Sequence, residues 1–503
     1  MATPQVLIVG AGPTGLVLAL MLARHGIPFR IIDKNSGPGQ ASRAMVVHAR
    51  TLEFYRQLGF ADELVAQGVK VEHLHVHEGG AEAAHIALGE IGEGLSPYPF
   101  VLSFPQDDHE RFLVAKLAAV GIAIEWNVLL ASFTQDVVKV SAVLEHGSTE
   151  EHCEFDYVCG CDGARSRVRE TLQLDFPGGT YEHLFYVADV KTAGTWNTDL
   201  HIHLGQDSFG LMLPVRSSGM QRLIGILPDS LDAAAGFEDI RPIVESLLGV
   251  QVTGLNWFST YHVHHRVASH FRIGRCFISG DAAHIHSPAG GQGMNTGIGD
   301  AVNLSWKLAQ VLQGRADPAL LDSYESERIG FARALVATTD RAFQAIVSQG
   351  MTGKLVRKWL VPNVLPLLAG FTVARQTMFR MVSQIQIHYP DSALSEGHAG
   401  KVAGGDRLPW VNDGEADNFD ALRSLQWQLH VYGAPIPELA AEAQQLGLKV
   451  HVFTWNTAIA QTGLQRDAAY LIRPDGYVAL ALPQQDGSAL RRFLSRLNLR
   501  FSE

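Results

Sequence analysis

A stretch near the start of the chain, from Val6 to Asp33, limits the possible folds more than any other. A short apolar run precedes a Gly-x-Gly-x-x-Gly pattern at Gly10, Gly12 and Gly15, and a Leu- and Ala-rich helix and a second apolar run follow it. The first glycine allows a tight turn, the second allows close approach of a pyrophosphate, and the third allows helix and strand to pack closely. Asp33 ends the second run, where the ribose of a dinucleotide would lie, so the stretch predicts a strand–helix–strand unit that binds a dinucleotide.

A second glycine-rich stretch lies between residues 274 and 303. An apolar strand ends on Gly280 and Asp281, and a loop that contains Gly290, Gly291 and Gly293 opens a long helix. Glycine at this density before a helix indicates close approach of backbone to a ligand, and a loop that only turns the chain is the alternative. Two such helix starts suit a flavin dinucleotide, because the reduced flavin ring is anionic along one edge and a helix N-terminus stabilises that charge.

Composition excludes several classes of protein. The chain has 503 residues and a net charge of −11, so we expect several domains and no nucleic-acid partner. Its four cysteines, Cys153, Cys159, Cys161 and Cys276, contain no C-x-x-C pair, which disfavours disulfides and a cysteine-rich metal site. No apolar run is long enough for a transmembrane helix, and the chain enters its nucleotide-binding strand at once. We therefore expect a cytoplasmic protein without a membrane partner.

The sequence is not expected to hold a metal ion. His262, His264 and His265 resemble a metal-binding tract, but alternation along a strand puts His265 on the opposite face from the other two. No acid or cysteine accompanies them at ligand spacing. We interpret the tract as a strand with polar faces.

Three stretches together match a known family. They are GAGPTG with Asp33, CDGARSRVR at residues 161–169, and GDAAHIHSPAGGQGMNTGIGDAVNLSWKLA at residues 280–309. The chain resembles the single-component (class A) FAD-dependent aromatic hydroxylases of the para-hydroxybenzoate hydroxylase group. Its resemblance is greatest to the branch of phenol and polyketide hydroxylases that have a thioredoxin-like C-terminal domain. The first motif is shared with many nucleotide-binding enzymes, whereas the third motif and the order of the three are highly specific.

The resemblance implies an α/β fold with three parts. A Rossmann-like FAD-binding domain is interrupted by a mainly antiparallel β-sheet substrate domain, and a thioredoxin-like α/β domain ends the chain. No cysteine follows Cys276, so redox disulfide chemistry is excluded from the last domain, and a packing or homodimer role remains for it. The expected boundaries are 1–75, 98–180 and 268–345 for the FAD-binding domain, 76–97 and 181–267 for the substrate domain, 346–398 for a helical connection, and 399–503 for the last domain.

The resemblance also implies which residues hold FAD. Arg43 and Gln106 match positions along the pyrophosphate and ribityl chain, and Val128 matches a backbone contact to adenine. Asp281 matches the acid at the pyrophosphate and ribityl chain, and Asp162 matches an acid tied to both FAD and nicotinamide use. The full set along the nucleotide is Gly10, Gly12, Thr14, Gly15, Asp33, Lys34, Arg43, Gln106, Val128, Asp162 and Asp281, and the set around the isoalloxazine is Pro288, Gly291, Gly293, Met294 and Asn295.

The reaction that the resemblance implies is hydroxylation of a phenolic or polycyclic aromatic ring. NADPH or NADH would reduce the flavin, O2 would form a flavin C4a-hydroperoxide, and its distal oxygen would pass to the ring. Phenolate is a better nucleophile than phenol, so a proton acceptor near the ring would help. His48, His201 and His203 are candidates, and we name His48 and His203 as catalytic. The substrate is expected between the sheet and the flavin loop, in contact with Met45, Phe209, Met212, Pro214 and Pro288.

Two alternative functions stay open from sequence. A flavin oxidase or dehydrogenase on the same fold would leave no labelled oxygen in its product. A non-catalytic nucleotide-binding protein would keep the fold without turnover, and bleaching of a yellow protein by NADPH would exclude it. No arginine of the sequence can be assigned to a 2′-phosphate, so NADPH is only weakly favoured over NADH.

Overall fold

The computed structural model describes residues 3–39, 44–194, 197–205, 209–216, 219–228, 231, 234–287, 289–347, 372–412, 414 and 417–501. Two of the predicted contact residues, Arg43 and Pro288, lie outside these ranges. No helix in the described ranges is long and apolar enough to cross a membrane.

Helices and strands alternate through most of the described chain. The helices are α1 (Pro13–Arg24), α2 (Ala49–Leu58), α3 (Ala61–Gln67), α4 (Gln106–Ala119), α5 (Arg167–Thr171), α6 (Phe237–Leu248), α7 (Gly293–Leu312), α8 (Asp322–Val347), α9 (Thr372–Val382), α10 (Pro437–Gln445), α11 (Thr457–Gln461) and α12 (Gly487–Arg496). The strands are β1 (Val6–Val9), β2 (Phe29–Asp33), β3 (Val46–Val47), β4 (Val69–Val71), β5 (His73–Glu78), β6 (Ala81–Ala87), β7 (Val101–Ser103), β8 (Glu125–Trp126), β9 (Val128–Gln135), β10 (Val140–His146), β11 (Thr149–Phe155), β12 (Tyr157–Gly160), β13 (Gly178–Thr192), β14 (Leu200–Leu204), β15 (Phe209–Arg216), β16 (Met220–Ile226), β17 (Val252–Val267), β18 (Arg272–Ile273), β19 (Cys276–Ile278), β20 (His284–Ile285), β21 (Glu396–Ala399), β22 (Val402–Ala403), β23 (Gln428–Tyr432), β24 (Lys449–Phe453), β25 (Ala468–Ile472) and β26 (Val478–Leu482).

The first sheet forms the nucleotide-binding core. Its strand order is β18-β19-β12-β1-β2-β8, and every neighbouring pair is parallel except β18 with β19. Strands β1 and β12 are fully buried, because helices cover both faces of such a sheet. The carboxyl ends of β1, β12 and β19 meet at one edge of the sheet, where an open α/β fold binds its ligand. Both glycine-rich stretches and the CDGARSRVR stretch start from this edge.

A second, mainly antiparallel sheet has the order β20-β17-β13-β16-β15-β14-β5-β6. Only β14 and β5 pair in parallel among its described strands. One face packs on α6 through a cluster that includes Met212 and Ile240, and we call it the outer face. The other face packs Leu213 against Met45 beside β3, and we call it the inner face. The domain boundaries stay a prediction, and β5 crosses the one expected after residue 75.

The last part of the chain folds around β26-β25-β23-β24. The chain order is β23-α10-β24-α11-β25-β26-α12, with β23 and β24 parallel to each other and β25 antiparallel to both β23 and β26. This is the arrangement of a thioredoxin-like domain. Strand β23 is buried throughout, as expected for a central strand that helices cover.

A buried ionic cluster joins this domain to α7 and α8. The Arg473 guanidinium donates to the Glu327 carboxylate at 2.7 and 2.9 Å and to Asp475 at 2.6 Å. Lys307 Nζ donates to Glu327 at 2.8 Å, and the Trp306 indole donates to Asp475 at 3.0 Å. Burial lowers the pKa of Lys307 to about 8. Although burial opposes ionisation, Arg473 and Lys307 hold the pKa of Glu327 well below its ordinary range. The domain is therefore docked by paired charges, each of which needs its partner.

Candidate active site

Of the three motif glycines in the first glycine-rich loop, only Gly12 has space beside it for a side-chain atom among the described residues. A Cβ on Gly10 would lie 2.3 Å from the carbonyl oxygen of Cys161, and a Cβ on Gly15 would lie 2.0 Å from that of Gly10. A Cβ on Gly12 would have no described atom within 4 Å, and no described side chain caps the α1 N-terminus there. Gly12 therefore borders open space at a helix N-terminus, which is where a phosphate binds.

Asp33 orients this loop through its carboxylate. Oδ2 accepts a hydrogen bond from the Ala11 N–H at 2.7 Å, and Oδ1 accepts one from the Asn35 N–H at 2.8 Å. A carboxylate has about four acceptor positions, so the predicted bond to a ribose hydroxyl needs no loss of these two. The Asn127 N–H donates to the Asn35 carbonyl at 2.9 Å, which brings the start of β9 beside the end of β2. Val128, the predicted adenine contact, is thereby brought near Asp33.

Gln106 and an unpredicted acid, Glu110, connect α4 to the loop after β2. The Gln106 amide donates to Glu110 at 2.8 Å, and Glu110 accepts the Gly39 N–H at 2.7 Å. Burial raises the pKa of the Glu110 carboxyl. Glu110 lies four residues after Gln106 on one face of a helix, a spacing that is visible in sequence but not specific. Lys34, in the same loop, is exposed.

Thr14 and two glycines bring the two glycine-rich stretches into contact. A Cβ added to Gly280 would lie 2.6 Å from Thr14 Oγ1, and a Cβ added to Gly297 would lie 2.4 Å from the same atom. Thr14 thus fills the contact between α1 and α7, and its predicted cofactor contact stays a prediction. Asp281 follows Gly280 in a short 3-10 turn, and its residue is exposed at the edge where the strands end.

Asn295 ties the flavin loop, residues 286–295, to the segment after β3. Its Oδ1 accepts hydrogen bonds from the His48 N–H at 2.9 Å and the Thr51 hydroxyl at 2.8 Å. Its Nδ2 donates to the carbonyls of Val46 at 2.8 Å and Gly291 at 2.9 Å. All four bonds go to protein atoms, so this buried side chain fixes the loop. A cofactor contact by Asn295 would come from its backbone.

His48 supports the same loop from the β3 side. Its Nε2 donates to the Gly290 carbonyl at 2.8 Å, and the side chain is fully buried. Burial lowers its pKa to about 4. Gly290 and Gly291 have φ angles of 74° and 63°, a region that favours glycine. The imidazole is therefore neutral near pH 7 and holds the turn at Gly290 in place, and its catalytic role stays a prediction.

The start of α7 is supported by two side chains that the sequence analysis does not predict, His109 and Tyr55. His109 Nδ1 lies 3.3 Å from the Met294 sulfur, and its Nε2 lies 2.7 Å from the Tyr55 hydroxyl. Gly293 opens α7, and a Cβ there would make only ordinary contact with His286, at 3.7 Å. Gly293 and Met294 therefore lie where the loop joins α7, and their isoalloxazine contacts stay a prediction.

A buried charge network underlies the second glycine-rich stretch. Asp300 on α7 accepts hydrogen bonds from the Gly280 N–H at 3.0 Å, His284 Nε2 at 2.7 Å and Arg328 Nε at 2.6 Å. Arg328 also donates to the Thr296 carbonyl at 3.1 Å. Burial alone would raise the pKa of the Asp300 carboxyl, but Arg328 and His284 together hold it below its ordinary value. In the sequence, Asp300 is recognisable only as an acid within an apolar helix. Its partners His284 and Arg328 lie 16 and 28 residues away, so the sequence does not reveal the pairing.

Asp162 supports the start of α5 in the CDGARSRVR stretch, where Ser166 is the N-cap. Its carboxylate accepts hydrogen bonds from the Ser166 hydroxyl at 2.6 Å and the Val168 N–H at 3.1 Å. Burial raises its pKa. These bonds account for the acid at this position, and the predicted tie to FAD and nicotinamide stays a prediction.

The predicted substrate contacts do not share one face of the second sheet. Alternation along β15 puts Phe209 on the same face as Leu213, the inner face. Leu213 packs with Met45, whereas Phe209 packs in a separate cluster with Leu204. Met212 packs in the outer-face cluster with α6. Pro214 lies where the β15–β16 register shifts. His203 pairs with Gly210 beside Met212 and stands on the outer face, as does His201. Met45 and Phe209 are therefore the predicted contacts on the face toward β3.

The donor set fits the adenosine diphosphate half of FAD. Open space at Gly12, the uncapped α1 N-terminus and the acid at Asp33 suit a pyrophosphate and a ribose. The glycine-rich turn before α7 suits a second group that carries negative charge. Arg43 and Pro288, which would complete this set, lie outside the described residues.

Comparisons with known proteins agree with this geometry. The family described as "FAD binding domain" matches residues 3–339, and the family "Aromatic-ring hydroxylase, C-terminal" matches residues 404–498. The 6-methylpretetramide 4-monooxygenase of Streptomyces rimosus is 34% identical over 539 residues, which cover 99% of this chain and 94% of that protein. Pentachlorophenol 4-monooxygenase of Sphingobium chlorophenolicum is 31% identical over 465 residues, which cover 88% and 82%.

A solved structure extends the similarity to the whole fold. The anhydrotetracycline hydroxylase OxyS of Streptomyces rimosus superposes with a TM-score of 0.80 at 26% identity, over 100% of both chains. The predicted fold class, the FAD cofactor and the monooxygenase activity are confirmed, and neither alternative function is favoured. This chain belongs to the FAD-dependent aromatic-ring hydroxylases, which are flavoprotein monooxygenases.

Proposed function

We propose that this enzyme hydroxylates a polycyclic phenolic ring system of the polyketide type, with NADPH or NADH and O2 as co-substrates, in the cytoplasm. The support is the relative named for 6-methylpretetramide, which matches 99% of the chain, and the structure of OxyS, which is named for anhydrotetracycline. The relative named for pentachlorophenol, a single ring, matches a smaller share of the chain, 88%. A polycyclic substrate is therefore favoured over a single ring.

The observation that carries the proposal is that Asn295 connects the flavin loop to the segment that packs on the second sheet. It joins the flavin loop to the segment that holds Met45 and β3, and Met45 packs on the inner face of the substrate-domain sheet. The loop and the sheet face thus both contact this one segment. An apolar ring system bound between them would contact Phe209, which is partly exposed, and would lie near the buried Met45.

When FAD is bound and reduced, it supplies the activated oxygen, and the protein binds, orients and excludes water. The α1 N-terminus at Gly12 would hold the pyrophosphate, and Asp33 would accept from the ribose. Gln106 and Asp281 would contact the ribityl and pyrophosphate region. His48 Nε2 would keep its proton and donate a hydrogen bond to the Gly290 carbonyl, since the ring is buried and neutral. His48 then acts by positioning the loop.

The C-terminal domain has a packing role in this proposal. Its Arg473 and Asp475 close the buried cluster on α7 and α8, so the domain supports the helix that begins at the flavin loop. A homodimer would use surfaces outside this cluster, and sedimentation analysis at several concentrations tests for it.

Incorporation of labelled oxygen tests the proposed reaction. The purified yellow enzyme is given NADPH, ¹⁸O₂ and either a tetracyclic phenol or a simple phenol, and the products are analysed by mass spectrometry. We expect one ¹⁸O atom in the tetracyclic product and slower, less coupled turnover with the simple phenol. Hydrogen peroxide as the sole oxygen product from every ring would contradict the proposal, and equal turnover of both rings would contradict the polycyclic preference.

A further inference from the structure

A group of histidines lies on the outer face of the substrate-domain sheet, opposite the face toward Met45. They come from two short alternating runs, HLHVHE in β5 and LHIHL in β14, and from one position in β6. Alternation puts every second residue of a strand on the same face, so each run presents its histidines together. We call this group the histidine array, and its members are His73, His75, His77, His85, His201 and His203.

Strand register brings the array into rows. His75 pairs with His201 and with His85 on the two neighbouring strands, and His77 pairs with His203. The rings stack, with centroids 4.7 Å apart for His75 and His201, 4.6 Å for His75 and His85, and 4.3 Å for His77 and His203. Cross-strand neighbours of this kind have their side chains within contact distance. The imidazoles therefore form a continuous surface.

Three nitrogens of the array have the spacing of metal ligands. His77 Nε2 and His201 Nδ1 lie 3.2 Å apart, and one nitrogen each from His77, His201 and His203 all lie within 4.8 Å of one another. Two nitrogens bound at about 2.0–2.1 Å to a tetrahedral zinc ion are roughly 3.3 Å apart. One pair already matches this separation, and small rotations of the half-buried His77 and His201 rings would bring their nitrogens to that of the buried His203.

Carboxylates surround the array in the manner of outer ligands. His75 Nδ1 lies 2.9 Å from Glu82, and His73 Nδ1 lies 3.1 Å from Asp199. These acids hold His73 and His75, which lie beside the three proposed ligands, and their negative charge favours a cation nearby.

We propose that the histidine array binds a late first-row divalent metal ion, of the zinc or nickel class, through His77, His201 and His203. Imidazole ligands suit these ions, whereas Mg²⁺ and Ca²⁺ prefer oxygen. The ion would fasten the β5–β6 hairpin at the sheet edge to β14, because its ligands come from both elements. The site is on the face opposite Met45, so it is separate from hydroxylation and does not rest on the substrate that we propose.

Calorimetric titration of the FAD-loaded enzyme tests the site. The protein is prepared without a histidine tag, stripped with a chelator, and titrated with ZnCl₂, NiCl₂ or MgCl₂. We expect saturable binding of Zn²⁺ and Ni²⁺ and none of Mg²⁺. A rise in Tm with Zn²⁺ should accompany it, because an ion that binds the native state stabilises it. Absence of saturable Zn²⁺ binding would overturn the proposal.

Variants assign the ligands. His201→Gln, which changes a half-buried ring, should weaken Zn²⁺ binding at least tenfold and abolish the rise in Tm, with an unchanged flavin spectrum as the folding check. The exposed His152→Gln is the matched control and should bind as the wild type does. The double variant His73→Gln/His85→Gln should retain the ion. Unchanged binding in His201→Gln, or complete loss in the double variant, would overturn the ligand assignment.

Discussion

At the scale of single residues, the motif glycines separate cofactor binding from folding. Gly12→Ala adds a methyl group where no described atom lies within 4 Å, so the apoprotein should keep its stability. The methyl group would instead meet the pyrophosphate, and loss of one charge-assisted hydrogen bond costs about 1.5–3 kcal/mol. We expect FAD affinity to fall by about tenfold or more, which is about 1.4 kcal/mol per tenfold, in a fluorescence titration of the apoprotein.

Gly15→Ala is the contrasting variant. Its Cβ would lie 2.0 Å from the Gly10 carbonyl oxygen, so the backbone must move, and overpacking of this kind costs about 1–3 kcal/mol of stability. Gly330→Ala, at a position in α8 with no described atom within 4 Å of the added Cβ, controls for the substitution itself. If Gly12→Ala lowers the Tm of the apoprotein as much as Gly15→Ala does, Gly12 does not border a ligand space.

A second residue-scale prediction concerns His48. Its pKa is about 4, so a plot of kcat against pH should show no inflection from it between pH 6 and 9. His48→Asn loses the bond to the Gly290 carbonyl and should weaken FAD binding without changing the shape of that plot. Stopped-assay turnover across the pH range measures this. A wild-type inflection near pH 6.5 that disappears in His48→Asn would instead make His48 the titrating base.

The sequence predicts residues that act through local backbone geometry. It predicts fewer of the residues whose side chains act through partners far away in the chain. Gly10, Gly12 and Gly15 follow from spacing alone, because the turn geometry is local. Asn295 was predicted by resemblance as a cofactor contact, but its four hydrogen bonds go to protein atoms from two segments. The histidine array was missed because its two runs are 124 residues apart at the pair His77 and His201.

At the scale of elements, the docking of the C-terminal domain on α7 and α8 depends on charge pairing. Arg473→Met should leave Glu327 buried with only Lys307 as a cationic partner, and removal of one member of a buried pair costs about 3–5 kcal/mol. Urea unfolding at pH 7 should show this loss. The exposed pair Lys139 and Glu154 gives the control, since Lys139→Met removes a surface ion pair worth at most about 1 kcal/mol. Equal effects from both variants would contradict a docking role for Arg473.

Elements of the nucleotide-binding core could be predicted well, and those of the substrate domain less completely. Strands β1 and β2 and helix α1 match the predicted runs because apolar periodicity and the glycine motif agree there. Which face of β15 meets the active site was not predictable, since Phe209 and Met212 are both apolar and only tertiary packing separates them. Alternation gives two faces but does not say which helix covers each one.

At the scale of the whole molecule, buried histidines predict acid sensitivity. Burial is the largest cause that lowers their pKa values, to about 4 for His25, His48 and His286 and to about 3 for His109 and His430. In the unfolded chain the same groups have pKa values of about 6.5. Between these values the unfolded state binds protons that the folded state does not, so stability falls as pH falls. The stability should be complete above about pH 6.5 and decrease progressively toward pH 4.

Urea unfolding of the apoprotein from pH 8 to pH 5 measures this dependence. Each buried histidine should add up to about 1.4 kcal/mol per pH unit to the slope below pH 6.5. His430→Phe keeps an aromatic ring beside Tyr432 and Phe453 and removes one such proton, so the slope should become shallower by about that amount. His152→Gln, which changes an exposed ring, should leave the slope unchanged. The lowered pKa values come from burial in several parts of the chain. A free energy of unfolding that does not change from pH 7 to pH 5 would therefore mean that these rings are solvated in solution. The packing of both the FAD-binding and the C-terminal domain would then need revision.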